Sequence, residues 1–400
     1  TVFVAAGTYY ENININAKNI TLIGENRETT IIDGSQIYYN IVLINSGESS
    51  ASLSHFTIQN GNYSQPVTAI LLSNNSHAIL NNLFINNNYS EGEGAGIFAN
   101  EGSSAYISEC DITNNTSSKG GGIFLQNTGD VSIINSIISG NEALYNGGGI
   151  TVDGANPLLE NLIISNNSAE NGGGIFLDGA SSPNIKNCVI ENNNAASSGG
   201  GGGIFSNSIS NFILNESIVK GNTAQDDGGG IYLSNSEPLI TDCIFSNNSA
   251  SDKGGAIYLT ESASPTFNYC LFNHNSGWDR GGAISSGYTS SLDISYCTFA
   301  NNESSTGAAI DLRSSSTLDM HSSILYFHDI DSDPINYHGD CTVNITYSLL
   351  DKYNPIWDNN TNIINEDPEF VDLDNHNYNL LSSSPCIDSG DPSSDFNDPD

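Results

Sequence analysis

Three pairs of charged residues recur at one register of this 400-residue chain: Asp226-Asp227, Asp252-Lys253 and Asp279-Arg280, with Trp278 beside the last. Each pair stands immediately before a Gly-rich run. If successive runs are neighbours in space, Asp226, Asp252 and Asp279 with Trp278 form a cation site or a polar patch for sugar hydroxyls. The plainer reading is a solvated turn in which Lys253 and Arg280 relieve the repulsion between stacked carboxylates. A second column follows each run: Phe98, Phe124, Phe176, Phe205, Tyr232 and Tyr258, interrupted at Thr151. Exposed, such a stripe stacks on sugar rings or buries a partner protein; covered, it stabilises its own sheet. Asp329-x-Asp331-x-Asp333 with Asp340 alternates oxygen ligands in the manner of a calcium loop. It has Pro334 where such a loop has Gly, and no flanking helices are evident. Asp388, Asp391, Asp395, Asp398 and Asp400 make a second acid-rich stretch, so structural calcium is the candidate cofactor. His274, His321, His328, His338 and His376 lack the spacing of a transition-metal site.

What must position these residues is a repeat. Gly-rich turns ending in Ile97, Ile123, Ile150, Ile175, Ile204, Ile231, Ile257, Ile284 and Ile310 return every 25 to 29 residues. In phase with them runs a register with apolar residues three before and two after a centre, as in Ile185, Cys188, Ile190 and Phe267, Cys270, Phe272. The two-residue step is strand alternation, and no 3.6-residue period competes with it. Five residues after each centre stands asparagine: Asn88, Asn115, Asn141, Asn167, Asn193, Asn222, Asn248, Asn275 and Asn302. Registers that keep step over so many turns identify an all-β solenoid: a right-handed parallel β-helix of about 12 to 13 coils, each with three strands and three turns. The asparagines then stack as a ladder whose side chains satisfy backbone groups at a buried bend. Cys110, Cys188, Cys243, Cys270 and Cys297 share the inward centre and read as small core hydrophobes, with disulfides between stacked neighbours as the alternative. Cys341 and Cys386 lie outside that column and can clip the tail in an oxidising compartment.

Acids outnumber bases 45 to 9, giving a formal charge of −36. Such a surface repels nucleic acid, anionic membranes and polyanionic glycans unless divalent cations bridge them, and it suits an extracellular protein. No apolar run is long enough to span a membrane. Residues 1–60 read as the opening coils, 61–350 as the repeat stack, and 351–400 as an irregular acidic segment covering the last coil. The start at Thr1, already inside a strand, reads as a piece of a longer precursor.

The opening Val4-Ala5-Ala6-Gly7-Thr8-Tyr9-Tyr10-Glu11-Asn12-Ile13, with Ile31-Ile32-Asp33-Gly34, resembles the first coils of the pectin-lyase-like parallel β-helix superfamily. The pairing of Gly254–Ile257 and Gly281–Ile284 with Phe245–Asn248, Phe272–Asn275 and Phe299–Asn302 is similar to the repeats of chlamydial polymorphic outer membrane proteins and related surface proteins. The segments Asp367–Asp372 and Ser384–Gly390 resemble those that close secreted β-helix proteins before a sorting or anchoring region. The resemblance implies a cell-surface fold and leaves the chemistry open. A pectate-lyase chemistry needs clustered Asp for calcium and a basic residue for proton abstraction. The three arginines, Arg27, Arg280 and Arg313, are scattered, and the polygalacturonase set is not assembled. The reading is a secreted or surface scaffold that contacts glycan or protein through an outward face. The alternatives are an enzyme acting on a neutral or weakly charged polysaccharide, and a subunit that stacks end to end into a filament.

Overall fold

The coil from Asn184 to Ser206 shows how each turn of the molecule is built. A strand Asn184–Lys186 ends at Asn187, whose φ of 50° turns the chain into a second strand, Val189–Glu191. Asn192, at φ 53°, makes the next bend, and the ladder residue Asn193 leads into a two-residue strand, Asn194–Ala195. A glycine turn beginning at Gly201, φ 66°, then starts the strand Ile204–Ser206. Asparagine tolerates left-handed backbone better than other side chains and glycine takes it freely, which is why these two residues punctuate the repeat.

A computed structural model describes residues 1–37, 39–45, 50–63, 67–196, 199–326, 333–350, 364–373 and 375–390. Equivalent strands of successive coils pair in parallel and in register, as Ile185 does with Leu159 on one side and Leu214 on the other. They form three long sheets of 14, 13 and 14 strands, here faces A, C and B. Asn184–Lys186 lies in face A, Val189–Glu191 in face B and Ile204–Ser206 in face C. No α-helix occurs among the described residues. A column of inward side chains from each face fills the interior: Ile185, Cys188, Ile190 and Ile204 are all buried. Identical residues stack along these columns, with Phe245, Phe272 and Phe299 at ring separations of 4.8 and 4.6 Å.

The expected three strands per coil are joined by a fourth. A 10-stranded ribbon runs from Asn62–Tyr63 to Glu303–Thr306, immediately after the ladder asparagines. Several of its strands are two residues of Ser, Ala, Asn or Thr, as in Ser168–Ala169 and Thr223–Ala224, and the longer Glu142–Asn146 and Ser276–Arg280 contain no Val or Ile, so the ribbon lacks the β-branched apolar pattern that marks a strand in sequence. Their small inward residues Ala143, Ala169, Ala195, Ala224 and Ala250 are buried. All seven cysteines are free thiols, so neither the stacked nor the tail disulfide is formed. Burial pushes the Cys110 thiol up to about 12 and Cys188 to about 11, which keeps them protonated and unreactive.

Of the tail, residues 364–373 and 375–390 are described. Ile364 extends the last coil of face B by a single bridge to Leu349. The chain then turns back along the flank as an antiparallel hairpin, Phe370–Asp372 with Asn377–Leu380. Phe370 packs edge-on against Tyr326 at 5.9 Å and Tyr378 at 5.5 Å, and His376 packs against His274 at 4.4 Å. Burial, and the facing His376, hold the His274 pKa below its usual value.

Candidate functional site

The fourth ribbon explains where the acidic pairs lie. Its strands and the glycine turn that follows them form a lip folded over the outer side of face C. Stacking places Asp226, Asp252 and Asp279 in line: the Asp252 amide donates to the Asp226 carbonyl at 3.0 Å, and the Asp279 amide to the Asp252 carbonyl at 2.8 Å. The carboxylates of Asp226, Asp227 and Asp252 come within 4.8 Å of one another, which makes this trio a geometrically suitable place for a divalent cation. The Asp279 carboxylate turns instead to its own neighbour, accepting from Arg280 Nε at 2.7 Å. Trp278 stands at the same lip one coil further on, 77% exposed. Sequence reasoning identified Asp226, Asp252, Trp278 and Asp279 as one patch but not the inward turn of Asp227.

Asp227 is the unusual member, with a side chain only 8% exposed. It accepts the Lys253 amide at 3.1 Å and faces the Lys253 ammonium at 3.5 Å, while Lys253 holds Asp252 at 2.8 Å. Lys253 Nζ also lies 5.5 Å from the Tyr258 ring centre. Burial, opposed by Lys253 and reinforced by Asp226 and Asp252, pushes the Asp227 pKa up to about 6. Burial works against the charge of Lys253 too, but Asp252 and Asp227 outweigh it and raise its pKa. The folded pKa of Asp227 therefore exceeds the ordinary 3.8, so the folded state binds the extra proton between those values. Its contribution to stability is lost as pH rises through about 6. Asp227→Asn is accordingly expected to raise the thermal midpoint at pH 7.5 by about 2 °C, with the gain shrinking toward pH 4. Melting curves of both proteins at the two pH values check this, and a destabilised variant at pH 7.5 contradicts it.

The aromatic column is on the outer side of face C, as alternation requires, but the lip covers it. Phe124, Phe176 and Tyr258 are buried, and Phe98, Phe205 and Tyr232 are only partly accessible. The rings stack on one another, Phe98 on Phe124 at 5.1 Å, Phe176 on Phe205 at 5.3 Å and Phe205 on Tyr232 at 4.5 Å. Of the two readings, exposed stripe or covered ladder, the rings take the second. The reason is the glycine turn: a Cβ on Gly94 would come within 2.8 Å of the Phe98 Cβ, and one on Gly200 within 2.4 Å of the Tyr232 ring.

Of the expected calcium loop, Asp329 and Asp331 lie outside the described residues. Asp333 and Asp340 are exposed, Asp340 in a turn. Asp388 is exposed, and Asp391, Asp395, Asp398 and Asp400 also lie outside the described residues.

A third place was missed by the sequence reading. At the bend between faces A and B about half of the coils carry a short polar residue in left-handed backbone, such as Asn135, Asn161, Asn187 or Asp242, and His55, Glu109 and Glu216 take it in three others. Three late coils put tyrosine there: Tyr269 at φ 55°, Tyr296 at φ 54° and Tyr347 at φ 50°. A bulky side chain in this conformation costs about 1 kcal/mol or more. The signal in sequence is tyrosine directly before a core centre, in Tyr269-Cys270, Tyr296-Cys297 and Tyr347-Ser348.

The sequence matches the right handed beta helix region family over residues 68–228 and 217–350. No curated protein matches the chain. A solved structure similar to it is the tailspike protein of Acinetobacter baumannii bacteriophage Fri1, a capsular polysaccharide depolymerase, at 12% identity and a TM-score of 0.33. That alignment covers 85% of this chain and 56% of the tailspike chain, so this chain spans little more than half of the tailspike's length. With one parallel coil stacked on the next throughout the matched stretch, the chain belongs to the right-handed β-helix family.

Proposed function

We propose that the protein is a rigid scaffold working outside the cell, binding neutral or weakly charged glycan at the lip beside face C. The observation that carries this reading is the clustering of the Asp226, Asp227 and Asp252 carboxylates within 4.8 Å, one coil from the exposed indole of Trp278. Carboxylates accept hydrogen bonds from sugar hydroxyls, and an exposed aromatic face stacks on a sugar ring. The formal charge of −36 argues against a polyanionic ligand. In a pull-down on a panel of immobilised neutral and acidic polysaccharides, retention on a neutral polymer is expected, weakened at least tenfold by Trp278→Ala. Retention only on acidic polymers, or none at all, contradicts it.

A second reading, hydrolysis, is favoured by one observation, the Asp227 pKa of about 6 beside two other carboxylates. A carboxyl protonated near pH 6 can hand a proton to a glycosidic oxygen while a neighbouring carboxylate stabilises or attacks the sugar carbon. Release of new reducing ends that declines above about pH 6 and is lost in Asp227→Asn supports hydrolysis. Binding without release leaves the scaffold.

A further inference from the structure

We propose that the cleft between the folded-back hairpin and the tyrosine column is a second ligand site, built for a neutral oligosaccharide and separate from the lip. Two cavities of about 560 and 400 Å³ lie there and adjoin across Tyr269, Tyr296 and Thr298. Both fall in the size range of small-molecule sites. One wall is the tyrosine column, with Tyr269 and Tyr296 stacked at 4.9 Å and Tyr269 half exposed. The other is the strand Asn377–Leu380, which presents Asn377, Tyr378 and Asn379.

The chemistry of these walls selects the ligand. Phenol hydroxyls and side-chain amides offer donors and acceptors together, which polyhydroxyl ligands require, and the rings supply apolar surface for sugar C–H groups. Among the described residues neither cavity is lined by Lys or Arg; His376 is the one basic side chain in the lining and Asp388 the one acid. An anionic sugar would find no Lys or Arg to pair with and would enter against the field of a protein of formal charge −36. A neutral sugar meets neither penalty.

The backbone supplies the independent argument. Tyrosine occupies a left-handed bend that asparagine fills at lower cost in Asn135, Asn161 and Asn187, and it does so at Tyr269, Tyr296 and Tyr347, each lining the cleft. Strain retained where an easier residue is available elsewhere in the same repeat points to use of the side chain.

The same comparison supplies the test. The double variant Tyr269→Asn with Tyr296→Asn installs the residue that other coils carry at this bend, so it is expected to fold and to melt no lower than the parent. Calorimetric titration of the full chain uses cellohexaose, maltohexaose and laminarihexaose as neutral probes and hexagalacturonate as the charged one. In a Trp278→Ala background, which removes the lip's contribution, saturable binding of at least one neutral probe is expected, weakened at least tenfold when the double variant is added, with hexagalacturonate silent. Three results overturn the site: no neutral probe binds, the double variant binds as the parent does, or its stability falls, which makes the tyrosines packing residues. Loss of neutral-probe binding in Trp278→Ala with retention in the tyrosine variant assigns the ligand to the lip alone and also overturns the cleft.

Discussion

Asn193→Ala is expected to lower amide protection in its own and the two adjoining coils by ~100-fold while leaving distant coils near their parent values. The Asn193 Oδ1 accepts from both the amide and the side chain of Asn167, each at 3.0 Å. Its Nδ2 donates to the Ile164 carbonyl at 2.9 Å and to the Asn222 Oδ1 at 3.0 Å. All of these groups are buried, so alanine leaves the Asn167 amide without its acceptor and removes one partner each from the Ile164 carbonyl and from the Asn167 side chain, which keeps its bond to the Ile138 carbonyl. An orphaned buried group costs about 1–3 kcal/mol, and a loss of about 3 kcal/mol in all corresponds to that fold-change. In a solenoid each coil touches only its neighbours, which confines the damage. Hydrogen exchange resolved by coil reads it directly. Uniform loss along the chain, or none, contradicts a ladder that acts locally.

Gly254→Ala is expected to destabilise by about 3–4 kcal/mol and to disrupt the lip itself. Gly254 has φ 65°, and a Cβ there would sit 2.2 Å from the Ile257 carbonyl oxygen and 2.9 Å from the Tyr258 nitrogen. Both obstacles are backbone of the same turn, so relief requires the turn to open, and strain of this kind falls among the largest single-site effects. The equivalent first glycine also has positive φ at Gly120, Gly147, Gly201, Gly228 and Gly281. Opening the turn would separate Lys253 from the Tyr258 ring it now covers. Thermal melting together with tyrosine accessibility measures both consequences; a variant as stable as the parent would contradict the turn geometry.

The repeat was legible because identical positions stack. The period of the Gly–Ile turns, the three-then-two spacing around Cys188 and the asparagines five residues on each correspond to one column of the structure. The fourth ribbon was not legible, since Ser168–Ala169 or Thr223–Ala224 looks like loop composition and is a strand only because the ladder asparagine holds the bend before it. The aromatic column was placed on the correct side of its strand, but alternation says which way Phe124 points and not what folds over it. That depends on the glycine turn of the same coil. Asp226, Asp252 and Asp279 were correctly aligned by register, whereas the burial of Asp227 arises from one side chain turning inward beside Lys253. The tyrosine cleft was illegible because its second wall comes from residues about 100 positions later, and no local pattern specifies where a tail docks.

The most direct test of glycan recognition at the lip is a titration followed by the Trp278 indole N–H resonance, assigned by its loss in Trp278→Ala. Fragments of a neutral polysaccharide that the protein retains are compared with hexagalacturonate. A saturable shift with the neutral fragment and none with the acidic one is expected. An indole signal that stays fixed at saturating neutral glycan, or moves only with the acidic fragment, would contradict it.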